Sequence, residues 1–176
     1  MKPKIHNDLN QKFGKGTIVI HWVTALLIIV LFPMGKYMTG LEPADKEGII
    51  KIHAILGIVI FLLTILRSWF FFKSPRPANL KTGSKFNDKL TVWVHNSFYI
   101  LLLGISVSGI ATMVSGNYIK ALSTGNMELI NSSPSLYSLN AHDLIANIIM
   151  LLFVMHVVGV LKHYISTKEN VIRRIL

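Results

Sequence analysis

The sequence AHDLIANIIMLLFVMHVVGVLKHY, residues 141–164, decides the fold of this 176-residue chain. It is long and apolar enough to cross a bilayer, because a transmembrane helix needs about 20 predominantly apolar residues. Two histidines, His142 and His156, interrupt it fourteen residues apart. On a helix this spacing is about 21 Å of rise with about 40° of rotation, so both side chains point to nearly the same side. Histidine in lipid is costly, and we therefore expect both rings to face the interior of a helix bundle and to serve a function there.

The composition is that of a small integral membrane protein. Hydrophobic residues make up 52% of the chain, and the mean hydropathy is +0.53. These values are too high for an ordinary soluble domain. The absence of cysteine excludes disulfides, thiolate metal sites, iron–sulfur clusters and covalently attached c-type haem. The net charge of +10 would indicate nucleic-acid binding in a soluble protein. Here we attribute it to membrane topology and predict no nucleic-acid partner.

Three further apolar stretches predict membrane spans. We place the four spans at about 17–38, 46–72, 89–114 and 141–164, and each can cross a hydrocarbon core of about 30 Å. The connections are short, which favours a single domain, 1–176, folded as an all-α, antiparallel four-helix transmembrane bundle. The longest connection, 115–139, is predicted to hold a short interfacial helix near 118–122. The basic segment 2–15 has no apolar core or cleavage site beside it, so we interpret it as a retained tail and not a signal peptide.

The distribution of Lys and Arg predicts the orientation. Thirteen of them lie before the first span, around the connection between the second and third spans, or at the end of the chain. Four lie on the opposite side, namely Lys36, Lys46, Lys51 and Lys120, and Arg67 falls within the second span. Because cytoplasmic loops carry the excess of basic residues, both termini are predicted to be cytoplasmic.

The polar residues of the spans fall at two depths when the helices alternate in direction. A spacing of fourteen recurs in every span, joining His21 to Gly35, His53 to Arg67, His95 to Gly109 and His142 to His156. The outer layer, as we name it, contains Gly35, His53, Gly109 and His142. The inner layer contains His21, Arg67, His95 and His156.

Two histidines with two glycines leave room for a flat macrocycle and supply both axial ligands of a haem. A buried arginine such as Arg67 could pair with a haem propionate. Taken singly, each residue has an ordinary interpretation: a membrane histidine often only packs, glycine is common in such helices, and Arg67 could reach the interface. A metal transporter or proton relay would need carboxylates at depth, and only Asp143 is near, at the predicted helix start. A non-haem transporter with packing or relay histidines stays open at this point.

Four stretches of the chain resemble one known family. They are TIVIHWVTALLIIV at 17–30, IKIHAILGIVIFLLTILRSW with the following SPRP at 50–69 and 74–77, VHNSFYILLLGISVSGIA at 94–111, and HDLIANIIMLLFVMHVVGVLKHYISTKENVIRRI at 142–175. In this order they are similar to bacterial cytochrome b561, the four-span family distinct from the six-span ascorbate-linked eukaryotic proteins. The resemblance covers residues from about 12 to 176. Single motifs such as IHW occur elsewhere, but the ordered set is specific.

The resemblance implies a cytochrome of the bacterial inner membrane with two haem b groups, exchanging electrons with quinone. Carried over residue by residue, His53 and His142 would bind the outer haem, and His21 and His156 the inner haem. His95 would contact a propionate or quinone, or replace His21 as ligand. The family often has paired histidines near the end of the fourth span. Here Lys162 precedes His163, which leaves the role of His163 open.

The resemblance also implies an activity, because one kind of member is similar to a superoxide oxidase that reduces ubiquinone. Lys36, Lys46 and Lys51 could attract superoxide at the periplasmic face, although Glu42, Asp45 and Glu47 lie in the same region. The alternative is a cytochrome b subunit that anchors a periplasmic hydrogenase, formate dehydrogenase or similar redox partner. We therefore expect lipid and quinone as partners.

Overall fold

The computed structural model describes residues 7–73, 76–130 and 136–176. The described residues form five α-helices, which are α1 (Lys15–Thr39), α2 (Glu47–Lys73), α3 (Lys85–Ser115), α4 (Tyr118–Thr124) and α5 (Tyr137–Thr167). Short 3-10 helices lie at Pro43–Lys46, Met127–Leu129 and Val171–Ile175. Segment 2–15 and the SPRP motif lie partly outside the described residues. The described part of the chain contains no β-strand, so the predicted all-α fold is confirmed.

Four helices, α1, α2, α3 and α5, are long and apolar enough to span a membrane. Two of them extend well beyond the apolar stretches, because polar turns continue the helix outside the hydrocarbon. The third begins at Lys85 and not at residue 89, and Ser84 caps it by accepting a hydrogen bond from the backbone N–H of Asn87 at 3.5 Å. The fourth runs from Tyr137 to Thr167. The predicted short helix is also confirmed, as α4.

The four long helices form an antiparallel bundle. Close packing joins α1 to α2, α2 to α3 and α3 to α5, and a lighter contact joins α5 to α1. Helices α1 and α3 are thus diagonal partners across the bundle, as are α2 and α5. The centre of the bundle is an apolar core of Ile28, Leu31, Ile60, Leu102 and Ile149. The outward faces are equally apolar, with Trp93 and Ile100 exposed by 74% and 72%, as expected of surfaces covered by lipid.

The segment before α1 and the C-terminal 3-10 helix meet at one end of the bundle, where Arg174 joins three segments. Its side chain is only 5% exposed. The guanidinium donates to the carbonyl of Ala78 at 2.7 Å and, through Nε, to that of Gln11 at 3.2 Å. The backbone N–H of Phe13 donates to the carbonyl of Arg174 at 3.0 Å. Arg174 therefore ties the N-terminal segment, the connection after α2 and the C-terminal 3-10 helix together.

We expect Arg174→Met to lower the free energy of unfolding by about 2–3 kcal/mol, because hydrogen bonds from a charged donor contribute about 1.5–3 kcal/mol and two carbonyls lose their partner. The neighbouring Arg173 is exposed, so Arg173→Met is the matched control and should change stability by less than about 0.5 kcal/mol. Unfolding in mixed detergent–SDS micelles measures both values. Equal losses in the two variants would contradict the role of Arg174.

Candidate functional site

The outer layer comes together as one cross-section of the bundle. His53 on α2 and His142 on α5 lie on diagonal helices with their ring centroids 6.2 Å apart. The glycines come from the other diagonal pair. A Cβ added at Gly35 would lie 3.4 Å from Cε1 of His53, and one added at Gly109 would lie 3.1 Å from Cε1 of His142. The two glycines therefore keep the space beside both rings free of side chains.

The inner layer holds three histidines and one arginine. The ring centroids of His21 on α1 and His156 on α5 are 6.4 Å apart, whereas those of His95 on α3 and His156 are 5.0 Å apart. A terminal nitrogen of Arg67 lies 3.3 Å from Nδ1 of His21. The layer thus offers two alternative histidine pairs that share His156.

The centroid distances discriminate between these pairs. A metal–imidazole bond is about 2.0 Å long and the ring centre lies about 1.1–1.2 Å beyond the nitrogen, so two axial imidazoles on one metal have centroids about 6.2–6.4 Å apart. The pairs His53–His142 and His21–His156 match this separation. The His95–His156 separation of 5.0 Å is too short for it. The ring separations of His53–His142 and His21–His156 therefore match those of two axial imidazoles on one metal.

Hydrogen bonds orient two of the rings. Nδ1 of His142 lies 3.0 Å from the carbonyl of Ile105 and 3.2 Å from the hydroxyl of Ser108. Nδ1 of His95 donates to the carbonyl of Thr91 at 2.6 Å. A metal-binding histidine usually donates its second ring N–H to such an acceptor, which leaves Nε2 free as the ligand atom. Sequence reasoning missed Ser108, although its position beside Gly109 was a signal that it could face the outer layer.

Two buried nitrogens of the layers have no hydrogen-bond partner among the described residues, namely Nδ1 of His53 and Nε of Arg67. A guanidinium can only donate, so Nδ1 of His21 accepts from Arg67 and the ring proton lies on Nε2. Metal binding through Nε2 requires the other tautomer, and Arg67 would then need a different acceptor. None of the described carboxylates pairs with Arg67. A carboxylate of a bound group would satisfy it.

Asp143 directly follows His142 in the outer layer and is the carboxylate that the sequence places near the histidines. Asp143 forms an ion pair with Lys36 that joins α5 to α1 on the outer side. The prediction that Asp143 lies at a helix start is wrong. Helix α5 begins at Tyr137, because polar residues lengthen it at its N-terminal end, and Asp143 therefore lies in its second turn. Among the described residues no group of three or more His, Cys, Asp or Glu side chains is arranged to hold a metal ion. Within the described residues, the side chains that face one another in the two layers are thus imidazoles, and the nearby carboxylate of Asp143 is paired with Lys36.

His163 lies beyond the inner layer, at the end where the segment before α1 and the C-terminal 3-10 helix meet. Its Nε2 contacts Oε2 of Glu169 at 3.0 Å, and the same oxygen accepts from the side chain of Asn7 at 2.7 Å. Burial alone would raise the pKa of the Glu169 carboxyl, but the hydrogen bonds from Asn7 and His163 outweigh it and hold the pKa below its usual range. The structure therefore places His163 in contact with the terminal segments and not with the other histidines.

The family model of prokaryotic cytochrome b561 matches residues 12–176, nearly the whole chain. The chain belongs to this family. Membership of the cytochrome b561 family implies haem b, electron transport and a multi-pass position in the bacterial inner membrane, and the four long helices agree with that position. The predicted family and localisation are confirmed.

Three relatives show how similar the chain is to other proteins in sequence and in length. Cytochrome b561 homolog 2 of Escherichia coli is 23% identical, over 94% of this chain and 92% of its own length. Cytochrome b562 of Cereibacter sphaeroides is 22% identical, over 90% of this chain and 91% of its own length. The probable superoxide oxidase CybB of Yersinia pestis is 23% identical, over 96% and 97%. All three are therefore distant from the chain in sequence identity, but the similarity covers nearly the whole length of each protein.

Proposed function

We propose that this cytochrome b561 binds two haem b groups and transfers electrons between an outer donor and the quinone pool. His53 and His142 would hold the outer haem, and His21 and His156 the inner haem. The observation that carries the proposal is the pair of centroid distances, 6.2 Å and 6.4 Å, in two layers fourteen residues apart on α5. Haem supplies one-electron redox chemistry when bound.

The chain's own residues favour electron transfer over oxygen binding. Two imidazoles per iron leave no open coordination position. Gly35 and Gly109 leave the flanks of the outer pair open, and an apolar core around Ile28, Ile60 and Leu102 separates the two layers. The two layers are about 21 Å apart along α5. This arrangement suits passage of electrons across the membrane.

The remaining inner-layer residues have supporting roles in this proposal. Arg67 would pair with a haem propionate, which supplies the acceptor that its guanidinium needs. His95, with Nδ1 fixed on Thr91, would present Nε2 to a propionate or to quinone at the inner layer. Ubiquinone is the proposed electron acceptor. With both termini in the cytoplasm, as the basic residues predict, the outer layer faces the periplasm.

Superoxide is the proposed donor, as the name of the Yersinia pestis relative suggests. Two superoxide anions would lose one electron each to give two molecules of oxygen, and ubiquinone would take up two electrons and two protons to give ubiquinol. The basic residues nearest the outer layer are partly neutralised, because Lys36 pairs with Asp143 and Lys51 with Glu47. The ion pairs therefore weaken the positive potential by which these lysines would attract superoxide.

We expect Asp143→Asn to raise the rate of haem reduction by superoxide a few-fold at low ionic strength, because it leaves Lys36 as an unpaired positive charge. Lys36→Met should lower the rate by a similar factor. Both effects should vanish at high salt, where charges farther apart than about 3 Å are screened. Stopped-flow absorption after mixing with superoxide measures the rates, and equal rates in all three proteins would contradict superoxide as the anion attracted here.

The test of the proposed function is a reduced-minus-oxidised absorption spectrum of the purified protein with haem counted per chain. We expect two b-type haems, both reduced by ubiquinol. A single haem would contradict the two-layer assignment, and no Soret absorption would favour a non-haem protein with packing histidines. Co-purification with a large periplasmic enzyme would favour the anchor-subunit alternative over superoxide chemistry.

A further inference from the structure

Thr24 differs from three other threonines of the bundle. The hydroxyls of Thr64, Thr91 and Thr112 each donate to the carbonyl four residues earlier in the helix, at 2.7, 2.9 and 2.8 Å. Thr24 is 3% exposed, and its hydroxyl has no hydrogen-bond partner among the described residues. A buried hydroxyl without a partner costs about 1–3 kcal/mol, so a partner is to be expected.

Thr24 lines a small cavity between the inner layer and the apolar core. The cavity is lined by Thr24, Thr64, Arg67, Phe98, Tyr99 and Leu102, and its volume is about 10 Å³. A buried water needs at least about 10–15 Å³ of space and two to four polar partners. The volume of the cavity therefore corresponds to about one water molecule.

The polar groups around the cavity suit a water molecule. Arg67 also lines the cavity, and its Nε is a further buried donor without a partner among the described residues. Thr64 is 1% exposed, and its hydroxyl donates a hydrogen bond to the carbonyl of Ile60. The hydroxyl oxygen of Thr64 can therefore still accept a hydrogen bond. A water oxygen can accept from Thr24 and from Arg67 while one of its protons is donated to Thr64.

We propose that this cavity binds one structural water that joins Thr24 to Arg67 and holds the guanidinium at the inner layer. Thr24 is then a positioning residue, because it acts on the inner layer through Arg67. The consequence rests on the proposed function. A positive charge held near a haem favours the reduced form, so the water and Thr24 together keep the midpoint potential of the inner haem raised.

The test compares Thr24→Val, which replaces the hydroxyl by a methyl group, with Thr24→Ser, which keeps it. Thr112→Val is the matched control, because it removes a hydroxyl that is bonded to its own helix on the outer side. A high-resolution crystal structure should show water between Thr24 and Arg67 in the wild type and in Thr24→Ser, and none in Thr24→Val. Redox titration should show a lower inner potential in Thr24→Val alone, with the outer potential unchanged.

The outcomes separate this proposal from the proposed function. Missing water density in the wild type, or a haem propionate at Thr24, would overturn the water site even when two haems are present. An inner potential that is unchanged in Thr24→Val, or lowered equally in Thr112→Val, would overturn the positioning role. A haem count below two would contradict the proposed function, while the density at Thr24 would still decide the water site.

Discussion

Replacement of His156 by alanine should leave the protein with one haem per chain, the outer one. His156 belongs to both histidine pairs of the inner layer, so its loss removes an axial ligand whichever partner binds opposite it. His142 lies about four helical turns from His156 along α5, so the outer pair, His53 and His142, should keep its haem. The pyridine haemochrome count is expected to fall from two to one per chain, with one of two potentials lost from a redox titration.

The partner of His156 is decided by two further variants. His21→Ala should lose the same haem, because the His21–His156 separation of 6.4 Å fits two axial ligands. His95→Ala should keep both haems, since its 5.0 Å separation from His156 does not fit. His163→Ala, which alters a histidine outside both layers, is the control for loss of any imidazole and should also keep both. Retention of two haems in His21→Ala together with loss in His95→Ala would reverse the assignment of the inner pair.

The fold could be predicted from the sequence because it rests on local quantities. The length and apolar character of residues such as 141–164 predict a membrane helix without reference to neighbours. The repeated spacing of fourteen predicts two depths, because rise along a helix is fixed. That Gly35 and His53, and likewise Gly109 and His142, lie in one layer follows from these depths once the spans alternate in direction.

Other features could not be predicted because they depend on how each helix is rotated about its axis and on the residues at which it begins and ends. Spacing along the chain places His21 and His95 at the same depth, and only the packing of α1, α3 and α5 makes their distances to His156 differ. The polar extension of α5 to Tyr137 moved Asp143 from a helix start into an ion pair with Lys36. The unpartnered hydroxyl of Thr24 depends on a side-chain rotamer, about which its sequence neighbours carry no information.

The second large effect is expected from a glycine of the outer layer. Gly109→Val should abolish binding of the outer haem and leave the inner one. A Cβ at this position would already lie 3.1 Å from Cε1 and 3.3 Å from Nδ1 of His142, and valine adds two further methyl groups beside the ring. The ring would have to move away from Ile105 and Ser108, whose contacts orient it, and the space beside it would be filled.

Gly57 on α2 provides the matched control for Gly109, because a Cβ added there meets no atom within 4 Å. Both glycines lie inside long helices, so replacement by valine changes helix propensity by a similar amount, below about 1 kcal/mol. Gly57→Val should therefore keep two haems. A haem that is lost in Gly109→Val but not in Gly57→Val would be lost because valine fills the space beside His142. Gly35→Val is expected to resemble Gly109→Val, since its Cβ would lie 3.4 Å from His53. Two haems in Gly109→Val would mean that the glycine serves helix packing and that the outer pair does not need the cleared flank.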